Sequence, residues 1–247
     1  MVRLCDGPAS RRFHALEFRG NCSFRSLSTA QVSEYMRTHV SDAPRGECVC
    51  RGIPFRVKRV VLVREEPVSV RVEPFKSRWL VFLHTSDEMP LPWTRDGFIS
   101  PMRGEGHLGE HAADYVVHYA DGSSVRLPIK RRFQIGALHR HWGENCFLAV
   151  PQAKPHPVLP MSEQPGTISW GPTQTRVATP FYSSWMNWLW AWENPHPEKR
   201  VTEIVFEPIC GTVVVSGISA GDVASHPLRW NARQKALLHL PEKEEFH

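Results

Sequence analysis

The sequence predicts a mostly antiparallel β-sandwich. Short apolar stretches with period-two alternation recur along most of the chain, the pattern of strands with one buried face. The 21 prolines and 16 glycines are spread rather than clustered, as expected where many short strands need many turns. Helical periodicity is confined to one segment, so at most one or two short helices are expected. At 247 residues, 41% hydrophobic and 22% charged, the chain is long enough to bury a sizeable core within a single large all-β domain.

Residues 1–12 read as an N-terminal extension, 13–220 as the sandwich, and 221–247 as a C-terminal strand with a charged tail. The helical segment is 30–39, where Ser28 or Thr29 is placed to cap it and Val32, Tyr35 and Met36 share one face. Residues 53–63 are rich in β-branched side chains, 68–72 alternate Val with Ser and Arg, and 79–84 form a short apolar run. Turns at Glu65-Glu66-Pro67 and Glu73-Pro74 separate them, which predicts successive strands of a meander. The plainest hairpin covers 114–129: Asp121-Gly122 supplies the positive φ that a tight turn requires. Further strands are expected over 167–170, 184–192, 201–207, 212–218 and 235–240. A Pro-rich connection over 140–166 is expected to drape across one end.

The net charge of +5 arises wholly before residue 76, where thirteen Lys/Arg face eight Asp/Glu. These cations alternate with apolar residues, which fits a solvated face better than the dense basic stripe with interleaved aromatics of a nucleic-acid binder. No apolar run is long enough for a transmembrane helix, so no membrane partner is expected. The first ten residues lack the apolar stretch of a secretory signal, and six scattered cysteines do not make a disulfide scaffold. Both favour a reduced, cytoplasmic setting. Cys48 and Cys50 share one strand face and, without a second pair at metal spacing, read as small core or surface residues.

Several segments together resemble the galactose-binding-like jelly-roll domains found as accessory modules on large bacterial hydrolases. They are Phe13-His14-Ala15-Leu16-Glu17-Phe18, Gly52-Ile53-Pro54-Phe55, Tyr115-Val116-Val117-His118-Tyr119-Ala120-Asp121-Gly122 and Trp192-Glu193-Asn194-Pro195-His196-Pro197-Glu198-Lys199, with Val215-Ser216-Gly217-Ile218 closing the series. Trp142-Gly143-Glu144-Asn145-Cys146-Phe147 and Trp188-Leu189-Trp190-Ala191-Trp192 are similar to the region ahead of the catalytic domain in CehA/McbA-type metallohydrolases. The resemblance implies a jelly-roll topology and a non-catalytic accessory role, with a carbohydrate or a hydrolase catalytic domain as partner. Each segment also has a purely structural account: Asn194-Pro195 fixes a turn, and Pro54 suits the entry of an edge strand.

The candidate ligand site is the loop holding Trp142, Glu144 and Asn145, since a flat aromatic beside polar groups suits a polyhydroxylated ligand. Trp93 and Trp170 are lesser loop candidates. Trp188, Trp190 and Trp192 alternate on one strand face, which serves either as core or as a stacking surface for sugars or another subunit. No cofactor is expected. The alternative is a metal-dependent hydrolase: His139 and His141 present two imidazoles on one face of an extended segment, with Glu144 nearby as a third ligand for a divalent ion. Leu138 stands where metal boxes of this kind carry Asp. His107 and His111 have helical spacing, yet the glycines at 104, 106 and 109 make that segment a loop. Asp96, Glu105, Glu110 and Glu144 are the loop carboxylates from which a glycosidase pair would have to come. No nucleophile elbow, phosphate loop or dinucleotide fingerprint is present.

Overall fold

The computed structural model describes residues 4–89, 107–139, 145–153, 156–157, 177–178 and 184–228. In chain order the strands are β1 (Phe13–Ala15), β2 (Gly46–Cys50), β3 (Ile53–Val57), β4 (Val61–Val63), β5 (Val68–Phe75), β6 (Trp79–Ser86), β7 (His111–Tyr119), β8 (Ser124–Lys130), β9 (Ala149–Pro151), β10 (His156–Pro157), β11 (Val177–Ala178), β12 (Trp188–Glu193), β13 (Val201–Pro208) and β14 (Val213–Gly221). Two short helices, α1 (Phe24–Leu27) and α2 (Glu34–His39), join β1 to β2.

Two antiparallel sheets pack face to face. The larger runs β1-β14-β6-β12-β9, with β4 sharing the β14 edge used by β1; the smaller runs β5-β13-β7-β8. Between them lies a core of alternate residues: Leu80 and Phe82 from β6, Trp188 and Trp190 from β12, Tyr115 and Val117 from β7, Ile204 and Phe206 from β13. A third layer, made of α1, α2 and the β2–β3 hairpin, covers the outer face of the larger sheet. There Leu27, Met36, Cys48, Cys50 and Phe55 meet Val81, Leu83, Leu189 and Val214.

That third layer explains why β6 and β14 are buried on both faces along their whole length, and hence why residues 79–83 read as an unbroken apolar run. Within β14 the register shifts between Val215 and Gly217. The extra residue inverts the parity, so Val213 and Val215 face the inter-sheet core before it and Ile218 and Ala220 after it.

The hairpin at Asp121-Gly122 forms as expected, with Gly122 at φ +83° and β7 paired to β8. The meander does not. Residues 53–63 break at Lys58-Arg59 into β3, which pairs with β2, and β4, which pairs with β14. The next strand, β5, crosses into the smaller sheet to pair with β13, and β6 returns to the larger one. Short turns permit these crossings because each apolar face finds a different layer to bury against.

The helix begins later than expected. Ser33 caps α2, its Oγ accepting the Met36 N–H at 3.0 Å. Ser28 instead ends α1, which Ser23 caps from the other side. Strand β12 starts at Trp188 rather than Ser184. The strands expected over 167–170 and 235–240 lie outside the described residues. Trp188 and Trp190 are 1% and 8% exposed and Trp192 packs against the same core, so this row is core and offers no stacking surface. Among the described residues no helix is long and apolar enough to cross a membrane.

Candidate functional site

Two of the sequence segments that carry the resemblance meet at one end of the sandwich. Tyr119 donates its hydroxyl to Asn194 Oδ1 at 2.6 Å, Lys199 pairs with Asp121 at 2.8 Å, and the Ala120 N–H bonds Arg200 O at 2.8 Å. Asn194 also donates to Ser77 O and His196 O and accepts the His196 N–H. Burial, with Glu198 and Asp121 nearby, pushes the Tyr119 phenol up to about 12. Tyr119, Asn194, Asp121 and Lys199 are committed to partners here, so this end is a clamp between two turns.

The opposite end is built differently. Here β6 runs out into Asp87 and Glu88, β8 leaves through Arg131, β7 begins, and the turn between β13 and β14 passes over them. Asp87 is almost wholly buried and spends both oxygens on Ser33, accepting its N–H at 2.7 Å and its hydroxyl at 2.6 Å. Its own backbone N–H bonds Thr212 O at 2.9 Å, so one residue ties α2 through its carboxylate and the start of β14 through its backbone to the end of β6. Beside it His139 is buried, with Nδ1 3.6 Å from Glu88 Oε1 and its ring 5.0 Å from that of Tyr35. Tyr35 in turn stacks on His39 at 4.0 Å. Burial raises the Tyr35 phenol, and Glu88 and Asp42 push it further in the same direction.

Arg131, 1% exposed, lies beneath this end. Its Nε contacts Glu110 Oε2 at 2.9 Å, off the angle of a hydrogen bond, and its Nη2 donates to Cys210 O at 3.0 Å. Burial lowers its affinity for a proton while Glu110 opposes that effect. Gly211 stands at φ +73°, and a Cβ there would lie 2.5 Å from Nη2, so glycine is required for the approach. Burial and Glu110 both raise the Cys210 thiol, which makes it a poor nucleophile.

This end also carries exposed apolar side chains. Among the described residues the exposed large hydrophobic side chains are Leu108, Phe147, Leu148 and Ile209, at 55%, 58%, 38% and 53% exposure. Backbone bonds gather them: Phe147 N–H to Arg132 O, Leu148 N–H to Phe133 O, Gly109 N–H to Arg131 O, and Ile209 N–H to Ala112 O. The Phe147 ring leans on Phe133 at 5.0 Å, which holds it without covering it. Single exposed apolar residues are ordinary; a gathering at one end of a sandwich marks a contact surface.

The sequence candidates distribute unevenly over this geometry. Asn145 is exposed two residues before Phe147, at the margin of the apolar surface. Trp93, His141, Trp142, Glu144 and Trp170 lie outside the described residues, as do Asp96 and Glu105. His139 is buried against α2. Among the described residues no group of three or more His, Cys, Asp or Glu is placed to hold a metal ion. His107 lies in a turn and His111 opens β7 with Nε2 2.6 Å from Asp114, so the two do not share a helix. Glu110 is committed to Arg131. Phe147 is not legible as a site residue in the sequence, because no sequence period distinguishes an exposed Phe from a buried one. Comparison of the chain with protein-family models, with curated proteins and with solved structures returns no match.

Proposed function

We propose that the chain is a non-catalytic β-sandwich module of the galactose-binding-like jelly-roll class, serving as an accessory domain to a hydrolase, and that it binds carbohydrate at the end where Phe147 is exposed. The observation that carries this reading is the 58% exposed Phe147 ring, braced by Phe133, with Asn145 exposed two residues before it in the chain. Leaving 58% of a phenylalanine in water forgoes about 1–2 kcal/mol of burial. A sugar ring laid on its face recovers part of that, while an amide such as Asn145 orients the hydroxyl groups. The resemblance of the chain's turn motifs to hydrolase accessory domains supports the same reading.

Glycan-array screening of the purified protein followed by calorimetric titration tests it. The native protein binds a saccharide, and Phe147→Ala abolishes that binding while leaving the urea midpoint unchanged, because the side chain contributes little to the core. Absence of any bound sugar refutes the carbohydrate reading. Stoichiometric zinc, manganese or iron in the purified protein would replace it with that of a metal-dependent hydrolase.

A further inference from the structure

Residues 11–64 build the third layer and the sheet edge beside it, and they hold eleven Arg/Lys against four Asp/Glu. The net +7 of this stretch exceeds the +5 of the whole chain, so the charge asymmetry coincides with one physical layer. Two of its four carboxylates, Glu17 and Glu47, are engaged by the single guanidinium of Arg56. By contrast Arg11, Arg12, Arg19, Arg25, Arg37 and Lys58 are exposed and carry no ion pair among the described residues. The segments that carry Arg19 and Lys58 pack together: a Cβ on Gly20 would sit 2.2 Å from Val60 O, and Arg59 bonds Gly20 O and Asn21 O. Arg25 follows two residues after Ser23, on α1.

We propose that this layer is a docking surface for an acidic polysaccharide, distinct from the Phe147 surface. Arginines outnumber lysines ten to one over residues 11–64, and a guanidinium matches carboxylate and sulfate oxygens in a two-pronged fashion that an ammonium does not. None of the layer's Phe or Tyr rings is exposed, which removes the stacking platform that a single-stranded nucleic acid needs. Helices of four and six residues are too short to serve as groove readers on a duplex. Its surface lacks an exposed large apolar side chain among the described residues, so nothing inserts into a lipid surface. A flexible polyanion held by charge alone meets all three conditions.

The test uses the full chain with heparin and polygalacturonate as probes, and dextran as the uncharged control. Heparin or polygalacturonate binds and dextran does not. Counterion release from three cations on a flexible polyanion weakens that binding about 20-fold between about 50 and about 200 mM salt. The variant Arg19→Glu/Arg25→Glu/Lys58→Glu, built from exposed residues so that its urea midpoint stays native, binds at least about ten-fold more weakly at the lower salt. Phe147→Ala binds the polyanions as the native protein does, which separates this surface from the first. The proposal falls if neither polysaccharide binds, if the triple variant binds them as tightly as the native chain, if Phe147→Ala abolishes the interaction, or if duplex DNA or poly-glutamate binds more tightly than both.

Discussion

Lowering the pH from about 7 to about 5 should cost this protein close to 2 kcal/mol through a single side chain, His84. Its imidazole is wholly buried between the two sheets, stacked near Trp190 and Phe82. Its Nε2 lies 2.9 Å from Gln134 O, which can only accept, so Nε2 carries the proton; Nδ1 therefore accepts the Tyr115 hydroxyl at 2.7 Å. Both ring nitrogens are satisfied by the neutral form alone. Burial drives the folded-state pKa down to about 3, against the partial opposition of the Gln134 bond, whereas the unfolded chain titrates near 6.5. The folded value is the depressed one, so the unfolded state binds more protons throughout that window. Stability is complete above about pH 6.5 and declines by about 1.4 kcal/mol per pH unit as the pH falls toward 3. Urea unfolding at several pH values measures the slope, and His84→Gln isolates it from the other histidines. The glutamine amide accepts from Tyr115 and donates to Gln134 without titrating, so the variant's loss between those pH values is smaller by about 2 kcal/mol. Identical pH slopes in native protein and variant would refute the reasoning.

Other substitutions probe the packing. Gly136→Ala places a Cβ 2.4 Å from the Trp188 indole, which cannot retreat because its Nε1 donates to Ala137 O at 2.9 Å; the expected loss is about 2–3 kcal/mol, and an unchanged urea midpoint would show that the indole has room to move. Asp87→Ala removes both bonds that hold Ser33, the cap of α2, in place, costing about 2 kcal/mol. Hydrogen exchange reads it directly: the α2 amides should exchange faster while those of β13 keep their protection, and equal protection of α2 in both proteins would count against the cap.

Local chemistry made part of this fold legible in advance. Asp121-Gly122 specifies a tight turn whatever surrounds it, and the alternation of Val with Ser and Arg in β5 decides which residues face a core once any core exists. Spacing puts the cysteines at 48 and 50 on one strand face, while only the packing of the third layer on the larger sheet makes that face the inner one, where both are buried. Ser28, Thr29 and Ser33 are equivalent caps by composition, so composition alone does not fix the start of α2. Asp87, 54 residues beyond Ser33 in the chain, selects among them.

Period two determined that these segments are strands and which side chains share a face, since alternation is set by the geometry of each residue's own backbone. Partnership was beyond it. That β4 joins β14 while β5 crosses to β13, that the Trp188 row faces another sheet, and that Phe147 faces water depend on residues far away in the chain meeting in space. A residue's burial belongs to its neighbours in three dimensions, and the cationic layer and the apolar end became surfaces only when the layers stacked.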